Sequence, residues 1–308
     1  MRKQLCSALL ALANDPGMVF FTGDLGFMAL EPLRDVMKDR FINAGIAEQN
    51  MISVAAAMAK DGWKPWCYSI APFCFARPFE QIRNDVCLHN LPVRLLGNGG
   101  GYGYGVMGPT HHAVDDYAVL LALPYMRVFV PCFNEDVSAI IELADTCEHP
   151  CYVRLGLGTL PAGECHPTYS PWRQVLYGAG PVVICVGPLG GVAWAASADL
   201  DEHSRPDLWI LSELPVIMSQ IPHPLLDRLN AGARLIVIEE HIAHGGAGAM
   251  LVHLLLSAGV GVHAFTNLCA AGLALGVYGS QAYLRSHCGL SPESIRQCIL
   301  STSGGAHE

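Results

Sequence analysis

Glu48 is the first residue in the chain whose placement asks for a chemical explanation. It stands in the run Gly45-Ile46-Ala47-Glu48-Gln49-Asn50, after a short β-rich segment and at the head of a helical stretch whose next turns, from Met51 to Met58, are almost wholly apolar. A carboxylate at a helix N-terminus is favoured by the helix dipole, so an ordinary first-turn charge is one reading. Its company suggests more. Downstream comes an aromatic cluster, Tyr68, Phe73, Phe75 and Phe79, which core packing alone would also explain. Then seven glycines fall within the twelve residues from Gly97 to Gly108. Glycine loses the most backbone entropy on ordering, and such a run is tolerated chiefly where the main chain approaches a ligand or bends sharply. The loop delivers paired histidines, His111 and His112, a side chain able to exchange protons near neutral pH.

These residues need a frame. Short β-rich runs at 18–22, 41–43, 64–69, 93–97, 127–130 and 151–154 alternate with helical patterns at 28–38, 47–60, 73–90, 114–123 and 134–147. That alternation predicts an α/β fold with a mainly parallel sheet covered on both faces. A stretch rich in Gly, Pro, Thr and Ser follows and reads as a linker over 161–180. The pattern then resumes, with strands expected at 182–186, 207–211, 233–238 and 261–265 and helices at 191–199, 222–230, 247–258 and 291–300. Two domains result, 1–160 and 181–308, each a mainly parallel sheet flanked by helices. A Gly-Ala-rich stretch at 271–276 interrupts the second, and a frayed tail is expected over 301–308.

Composition narrows the classes of function. Of 308 residues, 52% are hydrophobic and 15% charged, enough to bury a large core. The net charge of -9 comes from scattered acids with no basic run to track a phosphate backbone, so no nucleic-acid partner is expected. No apolar run reaches the length of a membrane span uninterrupted, and no membrane association is expected. The N-terminus imitates a signal peptide but reads as a first amphipathic helix. Twelve cysteines lie singly among apolar neighbours without CxxC spacing, as reduced thiols of a cytoplasmic protein do.

The sequence resembles the transketolase family, in the split form whose halves are separate chains. The resemblance rests on Arg-Phe-Ile-Asn-Ala-Gly-Ile-Ala-Glu-Gln-Asn at 40–50, on Phe-Glu-Gln-Ile-Arg-Asn-Asp at 79–85 and on Gly-Pro-Thr-His-His-Ala-Val-Asp-Asp at 108–116. It is weaker beyond 155, through Ile238-Glu-Glu-His and Gly245-Gly-Ala-Gly. It implies a pyrimidine-binding domain followed by the transketolase C-terminal domain. It also implies thiamine diphosphate as cofactor, with Glu48 matching the glutamate that bonds the aminopyrimidine and activates the cofactor. Phe73 matches the aromatic that stacks on the pyrimidine, and Phe79 would line the same pocket. His111 matches the catalytic, substrate-facing histidine. His112 stands beside it, with a structural role equally open. Arg154 matches an arginine that binds substrate phosphate, a planar fork of donors being suited to that ligand. An interdomain ion pair is its other reading.

Two departures from the family carry information. The diphosphate and Mg²⁺ site, a Gly-Asp-Gly motif with a downstream Asn, is missing, since Gly23-Asp24-Leu25-Gly26 lacks the third residue and Asn50 shares a helix start with Glu48. No metal ligands are assigned to this chain, and Mg²⁺ would be held by a separate N-terminal subunit in an α2β2 complex. Met107 and Gly99 replace an Asp and a His that recognise the donor sugar in single-chain members, so the donor is expected to be an altered ketose, with Tyr102 and Tyr104 as replacement hydroxyls. The expected reaction is transfer of a two-carbon ketol unit from a phosphorylated ketose to an aldose. The alternatives are a 2-oxo acid dehydrogenase β subunit, a deoxyxylulose-phosphate-synthase-like protein, and a non-catalytic partner of such an enzyme.

Overall fold

Runs such as Met-Val-Phe-Phe-Thr and Val-Val-Ile-Cys-Val have no polar face, and a strand of that kind is stable only when covered on both sides. In the computed structural model, which describes residues 1–273 and 276–301, both runs are strands buried along their whole length. The expected tail over 301–308, except Ser301, and part of the Gly-Ala-rich stretch lie outside the described residues.

The first sheet has seven strands in the order β10-β5-β6-β4-β3-β1-β2. These are β1 (Met18–Thr22), β2 (Phe41–Asn43), β3 (Lys64–Ile70), β4 (Arg94–Asn98), β5 (Arg127–Phe129) and β6 (Cys151–Leu155), all parallel, with β10 (Glu213–Leu214) antiparallel on β5. The second sheet runs β12-β11-β8-β9-β7. It comprises β7 (Trp172–Leu176), β8 (Val182–Val186), β9 (Asp207–Leu211), β11 (Leu235–Glu239) and β12 (Phe265–Leu268), parallel except for β7. Both sheets are thus mainly parallel and flanked by helices, as the alternation predicted.

Alternate residues of β1 go to opposite faces. Met18 and Phe20 pack with Leu5 and Leu9 of the helix Arg2–Leu12 and with Ile140 and Ile141 of the helix Asp136–Thr146. Val19 and Phe21 join Met51, Ile52 and Ala55 of the helix Glu48–Lys60. This second cluster continues through Tyr117 and Leu120 to Val182, Val237 and Leu251, so the two sheets share one apolar core.

Two expectations need correction. The segment read as a linker contains β7, an edge strand whose Trp-Arg-Gln-Val-Leu sequence is too polar to announce itself. The helix expected over 73–90 is broken: Ala71–Phe75 is followed by a gap at 76–78, then Phe79–Gln81 and a π-helical turn, Ile82–Cys87. Pro78 accounts for the break, because it has no N–H to give and its ring clashes with the preceding turn.

Between the sheets lies a buried polar network. Tyr117 donates its hydroxyl hydrogen to Glu239, which also accepts from the backbone N–H groups of Ala247 (2.7 Å) and Gly248 (3.0 Å) at the start of the helix Ala247–Ser257. The Tyr117 ring stacks on His241 with centroids 3.6 Å apart. Burial holds the His241 pKa down at about 4, with nearby Asp116 opposing and Arg154 reinforcing the effect. An imidazole kept neutral in the fold but free to charge when unfolded gives stability that is complete above its unfolded pKa of 6.5 and is lost as pH falls toward 4. Between pH 7 and pH 5 the linkage amounts to about 2 kcal/mol. Urea midpoints should therefore drop over that interval, and His241→Gln should flatten the drop; an unchanged pH dependence in the variant would refute the assignment.

Candidate functional site

Parallel sheets bind ligands beyond the C-terminal ends of their strands, at the point where the chain reverses its direction of travel across the sheet. Here that point is β1, with β2 on one side and β3, β4 and β6 on the other. Glu48 follows β2, Phe73 follows β3 and the glycine loop follows β4, so three separate segments converge there.

Glu48 opens the helix Glu48–Lys60 and is 2% exposed. A carboxylate so enclosed needs a cation. It has one in Arg77, whose Nη1 donates to Glu48 Oε1 at 2.8 Å. The same guanidinium lies over Phe73, its Cζ 3.7 Å from the ring centroid. Phe73 and His111 meet in a T-shaped contact, centroids 5.1 Å apart. Thr110 Oγ1 lies 2.9 Å from His111 Nδ1. Burial, then the charges of Arg77 and His112, lower the His111 pKa and favour the neutral imidazole. Glu48, Arg77, Phe73 and His111 thus form a continuous chain of contacts. Phe79 is half-buried and packs against the core to which Met51 and Ile52 belong.

The loop is held in shape from the second sheet. Gly101 and Ala113 exchange backbone hydrogen bonds of 2.8 and 2.9 Å, closing its base. Glu240, just past β11, accepts from the Tyr102 N–H at 3.1 Å and from Arg285 at 2.7 Å. Gly101, at φ +66°, presses so closely on Glu240 that a Cβ would fall 2.5 Å from its carboxyl carbon. Only glycine meets both conditions.

This packing bears on three expectations. His112 is 3% exposed, its Nε2 2.9 Å from the Gly105 carbonyl and its ring in a T-shaped contact with Tyr102, so in this chain it braces the loop. Tyr102 is fully buried, its hydroxyl donating to the Gly272 carbonyl, and offers nothing to a sugar. Tyr104, by contrast, is half-buried with its hydroxyl accepting from Asn98 at 2.7 Å. Arg154 is 3% exposed. Its Nε donates to Asp116 at 2.8 Å, and its Nη2 to the Ala113 and Glu240 carbonyls at 2.6 and 2.9 Å. Its ion pair with Asp116 lies within the first sheet's unit, its bond to Glu240 reaches the second, and its guanidinium is enclosed, not an open fork for phosphate. Sequence reasoning missed Arg77, whose one signal is its position beside Pro78.

Asp24, the residue of the incomplete metal motif, accepts from Asn43 Nδ2 at 2.8 Å. No cluster of three or more metal-ligating side chains occurs among the described residues. All twelve cysteines are free thiols.

A buried acid, an aromatic ring and a histidine are thus gathered at the switch point of a parallel sheet, the place where α/β folds bind ligands. The chain belongs to the transketolase family: residues 1–161 match the model of the transketolase pyrimidine binding domain. It is 29% identical, over 97% of its length and 96% of the relative's, to one of the subunits of the apulose-4-phosphate transketolase of Phocaeicola vulgatus. It is 28% identical to the equivalently named subunit from Actinobacillus succinogenes, over 88% of each chain. Against 1-deoxy-D-xylulose-5-phosphate synthase of Myxococcus xanthus it is 29% identical over 96% of its own length, but only 50% of that protein's. Among solved structures it matches a split-gene transketolase, described as an inactive β4 tetramer, at TM-score 0.82 and 25% identity over 97% of this chain and 96% of that one. The transketolase of Leishmania mexicana shares the fold at TM-score 0.78, with 44% of its chain covered. The chain is accordingly a transferase subunit of the split transketolase kind, and the family's dependence on thiamine diphosphate extends to it.

Proposed function

We propose that this chain supplies the pyrimidine side of a two-component transketolase, which moves a two-carbon ketol unit from a phosphorylated ketose to an aldose. The observation that carries the reading is the pairing of buried Glu48 with the face of Phe73. The planar guanidinium of Arg77 lies over that ring and bonds that carboxylate, which supports a place there for an aminopyrimidine, also planar and able to hydrogen-bond a carboxyl group.

Bound thiamine diphosphate supplies an acidic ring carbon and an electron sink for breaking the carbon–carbon bond. Glu48 shares a proton with the pyrimidine nitrogen it faces, in a pocket that excludes water. Phe73 fixes the plane of the ring. His111, kept neutral, accepts a proton from the donor's hydroxyl and returns one later. A separate subunit holds the diphosphate through Mg²⁺, in an α2β2 assembly in the cytoplasm. The kinship with subunits named for apulose-4-phosphate supports a phosphorylated, unusual ketose as donor.

Purified alone with thiamine diphosphate and Mg²⁺, the chain should transfer nothing; mixed with the N-terminal subunit it should turn over phosphorylated ketoses. Appreciable activity alone would defeat the two-component reading. The kinship with 1-deoxy-D-xylulose-5-phosphate synthases supports a second reading with a 2-oxo acid donor, so pyruvate belongs in the same panel.

A further inference from the structure

Arg77 occupies a position that the proposed mechanism reserves for something else. Pro78 ends the helix Ala71–Phe75 and its continuation, and the side chain of Arg77 turns back across Phe73 to reach Glu48. A guanidinium is flat and cationic, with N–H groups in its plane. An aminopyrimidine is also flat, with a ring nitrogen in its plane that bonds a carboxylate. Arg77 covers one face of Phe73 and bonds Oε1 of Glu48, so a ring seated on that face and that oxygen would have to displace it.

We propose that Arg77 is an intrachain stand-in for the aminopyrimidine, occupying its slot on Phe73 and Glu48 until the cofactor displaces it. The inference rests on the reading of Glu48 and Phe73 as the pyrimidine site. Its physical basis is the asymmetry of the pair. The Glu48 side chain is 3% exposed and that of Arg77 40%. The carboxylate is fixed and enclosed, so leaving it without a cation is costly, whereas Arg77 reaches it from solvent on a flexible stem and can return there hydrated. Arg77 thus completes the half-site while the chain is alone. It also makes every bound cofactor compete with a tethered ligand, which raises the apparent Kd by the reciprocal of the fraction of time the slot is open.

The test measures thiamine diphosphate binding to the assembled two-subunit complex, with Mg²⁺, by quenching of intrinsic tryptophan fluorescence. Arg77→Ala should bind about tenfold more tightly than wild type, and Arg77→Lys, which keeps the charge but not the flat stack, should fall between. In the isolated chain the ¹⁵N guanidinium signals of Arg77, assigned by their loss in Arg77→Lys, should show the ring-current shift of a stacked group. In the assembled complex that shift should disappear on adding cofactor. An Arg77→Ala affinity equal to or below wild type, or a shift that persists in the loaded complex, would overturn the proposal. A complex in which neither wild type nor variant binds thiamine diphosphate would instead remove the functional reading beneath it.

Discussion

Glu48→Gln is expected to lower turnover of the assembled enzyme by about 10² to 10⁴, the usual contribution of a positioned acid or base. The amide has the size and shape of the acid and still offers an oxygen, but it cannot take up and return a proton. The loss should therefore fall on kcat, with assembly and KM little changed. Exchange of the cofactor's acidic ring proton, followed by NMR after quenching in D₂O, isolates the step at fault. It should slow by the same factor as turnover. Exchange at the wild-type rate would take Glu48 out of the mechanism, and full turnover in the variant would favour a non-catalytic partner.

Arg154→Ala should cost about 3–5 kcal/mol of stability, because it strands a buried carboxylate. Asp116 is fully buried and receives the Nε of Arg154 and the Tyr152 hydroxyl, both at 2.8 Å. Without the guanidinium, the carbonyls of Ala113 and Glu240 also lose a donor. Urea denaturation of the isolated chain would register the loss. In the assembled enzyme the variant should weaken phosphorylated and free sugars alike. A selective loss for phosphorylated substrates with normal stability would restore the phosphate-binding role that the buried geometry argues against.

Much of the frame is legible in the sequence. The strands at 18–22, 182–186 and 207–211 are readable to the residue because a run apolar on both faces has few other stable uses. β7 and β10 escape because edge strands need only one apolar face and can be short. Within the site, Glu48, Phe73 and His111 are recognisable as unusual residues in motif contexts. The partner of an arginine is not recognisable in that way. Asp116 lies 38 residues before Arg154 in sequence, and only the fold brings them together. Arg77 fails in the opposite sense: an arginine on an expected helix face reads as a solvated charge, and nothing before Pro78's break in that helix is seen says that it turns inward.

β10 has a consequence for how such an enzyme can be divided during evolution. The two-residue strand at Glu213 and Leu214 comes from beyond β9 yet caps β5 of the first sheet. A gene truncated near residue 161 would encode a sheet whose β5 edge stood bare, with Arg154 missing its Glu240 acceptor. Bare edges recruit other strands and aggregate. Fission of an ancestral gene at that junction would thus be penalised at once.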